Sequence, residues 1–269
     1  MNKLTCASML LGGCVMTTNA AVIANVAADY ATAPGYVAGT TAPTAAPAGW
    51  EYLTSTAGTG GTEITMTAQT ATGNGGAMGF AGASNSNILG DQNGTATQYE
   101  IFSDGFDGNG GTIPTGNEGV IGTDLLMHPG GNAANAFTIA RYTISAADIL
   151  NGTTATIAGS FRDLAGRPDR SGPAESITAD VFHNSTNLFS VTGGATAQGT
   201  SSYLTQATGT FNISGLTVAE GDTISFVVGY NGNVAGDETA LQGTIDVVPE
   251  PSTALLGGLG LLGLLRRRR

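Results

Sequence analysis

Hydrophobic and polar positions alternate along short stretches of this chain with a period of two residues. In residues 155–161 the odd positions are small or apolar, and Ile224, Phe226 and Val228 alternate with polar neighbours. Because successive side chains of a strand point to opposite faces of its sheet, this pattern predicts strands with one buried face. Further strands are predicted at residues 50–55, 63–68, 98–102, 121–127, 137–144, 177–181, 188–192, 211–213 and 240–247.

The segments between these strands are rich in Gly, Asn, Asp and Ser, which are the common turn formers. Many short strands at this spacing predict an all-β protein, an antiparallel β-sandwich. A single helical turn is predicted at residues 145–150, with Ser145 as its cap and Asp148 in its first turn. Away from the two termini, the sequence has no helical stripe.

One segment sharpens the fold prediction. Residues 218–229 place an acidic Gly-Asp turn before an alternating strand, and Asn231, Asn233 and Asp237 follow. This arrangement resembles the closing strands of jelly-roll modules related to carbohydrate-binding modules, over residues 120–247. The resemblance implies two curved sheets and, in that family, sugar or calcium sites on faces or loops. It transfers no particular binding residue to this chain.

The C-terminal tail has three parts in a fixed order: Pro249-Glu250-Pro251, an apolar run at 253–265, and the basic stop Arg266, Arg267, Arg268 and Arg269. This tail (residues 248–269) resembles the PEP-CTERM sorting signal of Gram-negative bacteria, which an exosortase recognises. The resemblance implies an exported protein that is sorted to the cell surface or extracellular matrix.

The length of the apolar run agrees with a sorting signal. As a helix, residues 253–265 would span about 20 Å, whereas a bilayer core is about 30 Å thick. The basic stop should stay cytoplasmic by the positive-inside rule. We therefore expect a transmembrane helix at 253–265 that is inserted transiently in the inner membrane and then cut. The alternative is an ordinary C-terminal membrane anchor.

The N-terminus predicts export as well. Lys3, an apolar stretch at residues 4–15 and the small residues before Ala20 form a secretory signal peptide over residues 1–20, to be removed by signal peptidase. A second candidate cleavage site follows Ala28. A lipoprotein processed at Cys14 is a further alternative. Residues 21–49 are rich in Ala, Thr and Pro and are predicted to form an extended lead into the sandwich at 50–247.

Cysteine usage and charge exclude several classes of function. Both cysteines, Cys6 and Cys14, lie in the signal region, so the mature protein lacks disulfides, a cysteine nucleophile and thiolate metal sites. The net charge is −11, and of the 20 acidic residues only Glu250 lies in the tail. Such a surface repels nucleic acid. The cations of the body are Arg141, Arg162, Arg167 and Arg170.

No motif predicts catalysis or a cofactor. His128 and His183 have no catalytic sequence context, and we expect a loop residue and a strand-end residue that make ordinary hydrogen bonds. Asp104, Asp107 and Asn109 offer oxygen ligands that would suit calcium. The same residue types form plain turns, which remains the alternative.

The sequence thus predicts a non-catalytic cell-surface or matrix protein associated with exopolysaccharide. The alternative is a secreted carbohydrate-binding module with a defined glycan ligand. Tyr203 and Tyr230 are the candidate glycan contacts, because Gly, Ser or Asn surround them instead of an apolar alternation.

Overall fold

The structure is a computed structural model. It describes residues 20–36, 43–69, 79–81, 100–103, 125–129, 137–150, 152–163, 176–194, 209–230 and 239–248.

Fourteen strands and two short helices form the described part of the chain. The strands are β1 (Ala21–Asn25), β2 (Trp50–Ser55), β3 (Glu63–Thr65), β4 (Thr67–Gln69), β5 (Gly79–Ala81), β6 (Glu100–Ser103), β7 (Leu125–His128), β8 (Phe137–Thr143), β9 (Thr154–Asp163), β10 (Ser176–His183), β11 (Thr186–Gly194), β12 (Gly209–Thr217), β13 (Thr223–Tyr230) and β14 (Thr239–Val248). The helices are α1 (Val26–Ala31) and α2 (Ala146–Ile149).

The strands make two antiparallel sheets. The 8-stranded sheet has the order β12-β9-β14-β7-β6-β5-β4, with β1 paired to β14, and the 6-stranded sheet has the order β11-β10-β13-β8-β2-β3. The inner face of the smaller sheet contributes Phe226 and Val228, and that of the larger one Ile157 and Ile245, all of them completely buried. The predicted antiparallel β-sandwich is therefore confirmed.

Local signals placed several elements correctly. β2 has the predicted bounds, and α2 begins after Ser145 as predicted. A capping box closes this helix: the Ser145 hydroxyl accepts the Asp148 N–H at 3.3 Å, and the Asp148 carboxylate accepts the Ser145 N–H at 2.8 Å. Each of these two bonds provides an acceptor for a backbone N–H at the start of the helix, where the helix itself supplies none.

The single strand predicted at residues 63–68 is divided in the structure. β3 belongs to the smaller sheet and β4 to the larger one. Between them Met66 is buried in the core and donates its backbone N–H to the Tyr52 carbonyl at 2.9 Å. The chain therefore changes sheets at a residue that fills the space between them.

The structure also differs from the extended lead predicted for residues 21–49. Residues 21–25 form a strand and residues 26–31 a helix. Val26, Ala27 and Tyr30 lie on the buried side of this helix, a spacing typical of one helical face. The Ala- and Thr-rich composition predicts a linker, but these apolar side chains pack onto the sandwich.

The aromatic residues of the two sheets form a continuous contact chain through the core. Trp50 lies 5.3 Å from Tyr142 and 6.4 Å from Phe226, between ring centroids. Phe211 then connects Phe226 to Phe161, at 5.9 and 5.5 Å. Aromatic pairs at such separations contribute beyond the area that they bury.

Candidate functional site

The last strand of the core leads directly into the predicted sorting motif. β14 pairs with β9 along its whole length, up to the partners Val248 and Thr154. Ile245 and Val247 are completely buried. Pro249 comes next in the sequence, and a proline cannot donate a ladder hydrogen bond. The Pro-Glu-Pro sequence therefore begins directly after β14.

The predicted functional groups of the tail lie outside the described residues: Pro249, Glu250, Pro251, the helix at 253–265, and Arg266, Arg267, Arg268 and Arg269. The chain between Val248 and Thr253 reaches at most about 18 Å when fully extended. Within the described ranges, no helix is long and apolar enough to cross a membrane.

The strand register defines two ends of the sandwich. We call the end at which Val248 lies the sorting end, and the opposite end the far end. Thr239, the first residue of β14, lies at the far end, as do Tyr230 at the close of β13 and the pair of Ser176 with Gly194. Gly209 pairs with Phe161 near the far end too.

One candidate glycan contact ends a strand at the far end, and the other lies in a connection between strands that meet this end. Tyr230 is the last residue of β13, where its backbone pairs with Ile177. Tyr203 lies in the connection that leaves the far end at Gly194 and returns to it at Gly209. The side chain of Tyr230 and the whole of Tyr203 are outside the described parts of the structure.

Three other aromatic residues of the described part of the chain are unavailable at the surface. Trp50, Tyr52 and Tyr142 are 5%, 2% and 6% exposed. Burial raises the pKa of the Tyr52 and Tyr142 hydroxyls above the ordinary value. These three rings stabilise the core and present no face to a sugar.

A polar cluster at the sorting end joins two turns. His183 Nε2 lies 3.0 Å from Asp222 Oδ2, and the Asn184 amide donates to Asp222 Oδ1 at 2.9 Å. The hydrogen bond from Asn184, together with those from the Ala219 N–H and His183, holds the pKa of the Asp222 carboxyl below its ordinary value. His183 therefore has the hydrogen-bonding, strand-end role that the sequence predicted. His128 ends β7, and its side chain is not described.

A second polar pair lies on the outer face of the smaller sheet, and no sequence pattern predicted it. Arg141 donates to both carboxylate oxygens of Glu63, at 2.8 and 2.6 Å, and its Nε donates to the Ser225 hydroxyl at 3.1 Å. This bidentate contact holds the pKa of Glu63 below its ordinary value. Glu63 and Arg141 are 78 positions apart, so only the register of β3, β2 and β8 brings them together.

The candidate calcium ligands Asp104, Asp107 and Asn109 follow β6 and lie outside the described residues. Among the residues that the structure does describe, no group of three or more His, Cys, Asp or Glu side chains is placed to hold a metal ion.

Comparison with known proteins identifies the tail. Residues 247–269 match the PEP-CTERM protein-sorting motif. The protein is thus a β-sandwich that carries an exosortase sorting signal. The motif implies export and sorting to the cell surface in Gram-negative bacteria. The match begins at Val247, inside β14, so the last core residues are also the first residues of the motif.

Other comparisons add little. No curated protein matches the chain. A solved structure, "The structure of CBM51 from Clostridium perfringens GH95 in complex with methyl-galactose", is 17% identical, with a TM-score of 0.34. The alignment covers 56% of this chain and 91% of that one. A likeness of this size says nothing about the ligand of this chain.

Proposed function

We propose that this protein is a non-catalytic component of the cell surface or extracellular matrix. It is held at its sorting end during processing, and it associates with exopolysaccharide through its far end. The observation that carries the proposal is the direct passage of β14 into the sorting motif, because it gives the sandwich a defined end toward the membrane. The connections at the far end then point away from the membrane.

The chemistry of the far end supports an association with sugars. The connections at residues 195–208 and 231–238 are rich in Gly, Ser, Thr, Asn and Gln and contain or adjoin Tyr203 and Tyr230. Hydroxyl and amide groups beside an aromatic ring provide the hydrogen bonds and the apolar face that sugar recognition needs.

The processing step follows from the same proposal. The tail is inserted transiently in the inner membrane, and an exosortase removes the part that follows Pro251. Intact-mass analysis of the protein from its native host tests this step. A chain that ends near Pro251 supports sorting, whereas a chain that retains Arg269 would make the tail a plain anchor.

Cosedimentation with polysaccharide from the same host tests the second half of the proposal. We expect weak association with several polysaccharides, reduced in Tyr203→Ala and Tyr230→Ala. Leu150→Ala is the control, because Leu150 is 85% exposed and lies at the sorting end. If both tyrosine variants cosediment with polysaccharide as wild type does, Tyr203 and Tyr230 are not glycan contacts.

The alternative is a carbohydrate-binding module with a defined glycan. The position of Tyr230 at the far end, where the connection that contains Tyr203 begins and ends, favours it. Saturable binding to a single polysaccharide, lost in the tyrosine variants, would establish this alternative over general association.

A further inference from the structure

The first and last strands of the sandwich lie side by side. β1 pairs antiparallel with the second half of β14, with Ala21 opposite Val247 and Val22 opposite Asp246. Paired residues in an antiparallel ladder have Cα atoms about 4.5 to 5.5 Å apart. The start of β1 therefore lies next to the end of β14, at the sorting end.

Residues 21–33 are an integral part of the folded domain. Ala24, Val26, Ala27, Tyr30 and Ala33 are buried. The α1 helix is capped by Asn25, whose side chain accepts the Ala28 N–H at 3.0 Å. Removal of this segment would expose apolar surface and leave the backbone groups of β14 unpaired along that edge.

These contacts count against one candidate site of signal-peptide cleavage, the one after Ala28. A cut after Ala28 would remove β1, the Asn25 cap and the first half of α1. A cut after Ala20 removes none of them, since Ala20 is exposed and precedes the first paired residue. Processing at Cys14 would keep these contacts too, and differs from the cut after Ala20 in the residues that it leaves ahead of β1.

We propose that signal peptidase hydrolyses the Ala20–Ala21 bond, and that this cut and the sorting motif lie side by side at the same end of the same sheet. Water adds across the peptide bond, which leaves a carboxylate on Ala20 and an amino group on Ala21. β1, now at the N-terminus, stays paired with β14, the strand that leads into the sorting motif.

The arrangement has a consequence for the order of events. Before either cut, both apolar terminal segments leave the domain at the sorting end, where each is to enter the same membrane. The β1–β14 pair can form while both are attached, so the exosortase meets a folded domain. Both cuts require the export that the proposed function includes, but neither requires glycan binding, so the strand pair and the N-terminus can be tested in a protein that binds no polysaccharide.

The first test is the N-terminus of the exported wild-type protein by mass spectrometry. A chain that begins at Ala21 is expected. A chain that begins at Asp29, or at an acylated Cys14, would overturn the proposal.

The second test locks the strand pair covalently. Val22 is 60% exposed and faces Asp246 across the ladder. Because the proposed mature chain contains no other cysteine, Val22→Cys with Asp246→Cys should form a disulfide in the oxidising periplasm. We expect the loss of two hydrogen atoms in the intact mass and no thiol labelling before reduction.

The matched control is Val22→Cys with Thr210→Cys. Thr210 is exposed and lies in β12, two strands away from β14, where it pairs with Ser160. Both thiols of this control should be labelled. Labelled thiols in the Val22–Asp246 variant as well, in a protein that begins at Ala21, would overturn the side-by-side arrangement.

Discussion

The carboxylate of Asp29 accepts a hydrogen bond from the indole nitrogen of Trp50 at 2.9 Å. The same oxygen accepts the backbone N–H of Asn25, also at 2.9 Å. One half-buried carboxylate therefore fastens α1 both to its own N-cap and to the first residue of β2. Because the Trp50 ring contacts Tyr142 and Phe226, this carboxylate connects the N-terminal segment to the aromatic core.

Asp29→Ala is therefore expected to lower the free energy of unfolding by about 2 to 3 kcal/mol, since it removes two charge-assisted hydrogen bonds and leaves the buried indole N–H without its acceptor. Urea unfolding of the exported protein, followed by fluorescence, measures the change at the single tryptophan of the chain. Glu220→Ala, at an exposed residue, is the control and should stay within about 0.5 kcal/mol of wild type. Equal stability of the two variants would contradict the role of Asp29.

The neighbours of Gly159 leave no room for a side chain. It faces Gly243 across β9 and β14, and a Cβ there would collide with the Gln242 carbonyl and lie 2.6 Å from Phe211 Cζ. Gly159→Ala should cost about 3 kcal/mol, at the upper end for overpacking, because backbone has to move.

The measurement is the thermal midpoint of Gly159→Ala beside that of Ala158→Ser. Ala158 is the preceding residue of β9 and is half-buried on the opposite face. The control should melt within a few degrees of wild type. A Gly159→Ala protein that does the same would show that β9 and β14, neighbours in the larger sheet, can shift apart at this point.

The sequence predicted those features that depend on neighbours in the chain. Alternation located β9 and β13, and the Ser145–Asp148 spacing located α2, because each signal is contained within a few residues. The sorting motif is local in the same sense. Each of these features could be predicted without knowledge of the fold.

The features that the sequence missed depend on distant residues. The bond from Trp50 to Asp29 joins positions 21 apart, and Arg141 reaches Glu63 over 78 positions. In residues 21–49 the prediction followed composition, whereas the few large apolar side chains decided the structure. The strand predicted at 63–68 is divided at Met66, whose side chain is buried between the two sheets.

Asn184 supports the sorting end through its backbone as well as its side chain. Its φ is 54°, in the left-handed region, and its Oδ1 accepts the Thr223 N–H at 2.9 Å. Asn184→Gly keeps the backbone conformation but loses the side-chain bonds, at a cost of about 1 kcal/mol. Asn184→Ala also loses the side-chain bonds, and its Cβ disfavours the left-handed backbone conformation. It should therefore be less stable than Asn184→Gly by about 1 kcal/mol. Chemical unfolding gives the order, and an alanine variant as stable as the glycine variant would contradict the backbone contribution.

The calcium site at Asp104, Asp107 and Asn109 stays a prediction. Calorimetry should detect binding at millimolar calcium, and a chelator should lower the melting temperature, because a ligand that binds the folded state stabilises it. The double variant Asp104→Asn with Asp107→Asn should lose both effects, whereas Glu220→Gln should keep them. No heat at millimolar calcium, with melting unchanged by chelator, would leave these residues as a plain turn.

The pair of Glu63 and Arg141 predicts how stability depends on pH. Because the hydrogen bonds from Arg141 lower the pKa of folded Glu63, the ionised carboxylate stabilises the folded state above the unfolded value of about 4.3. This contribution is lost as the pH falls through the lower, folded pKa. Glu63→Gln, which imitates the protonated group, should therefore be less stable than wild type by about 1 kcal/mol at pH 7. The difference should shrink below about pH 4 as wild-type Glu63 takes up its proton. Melting curves of both proteins between pH 2.5 and 7 measure it, and a difference that stays constant over this range would show that Glu63 contributes through packing instead of charge.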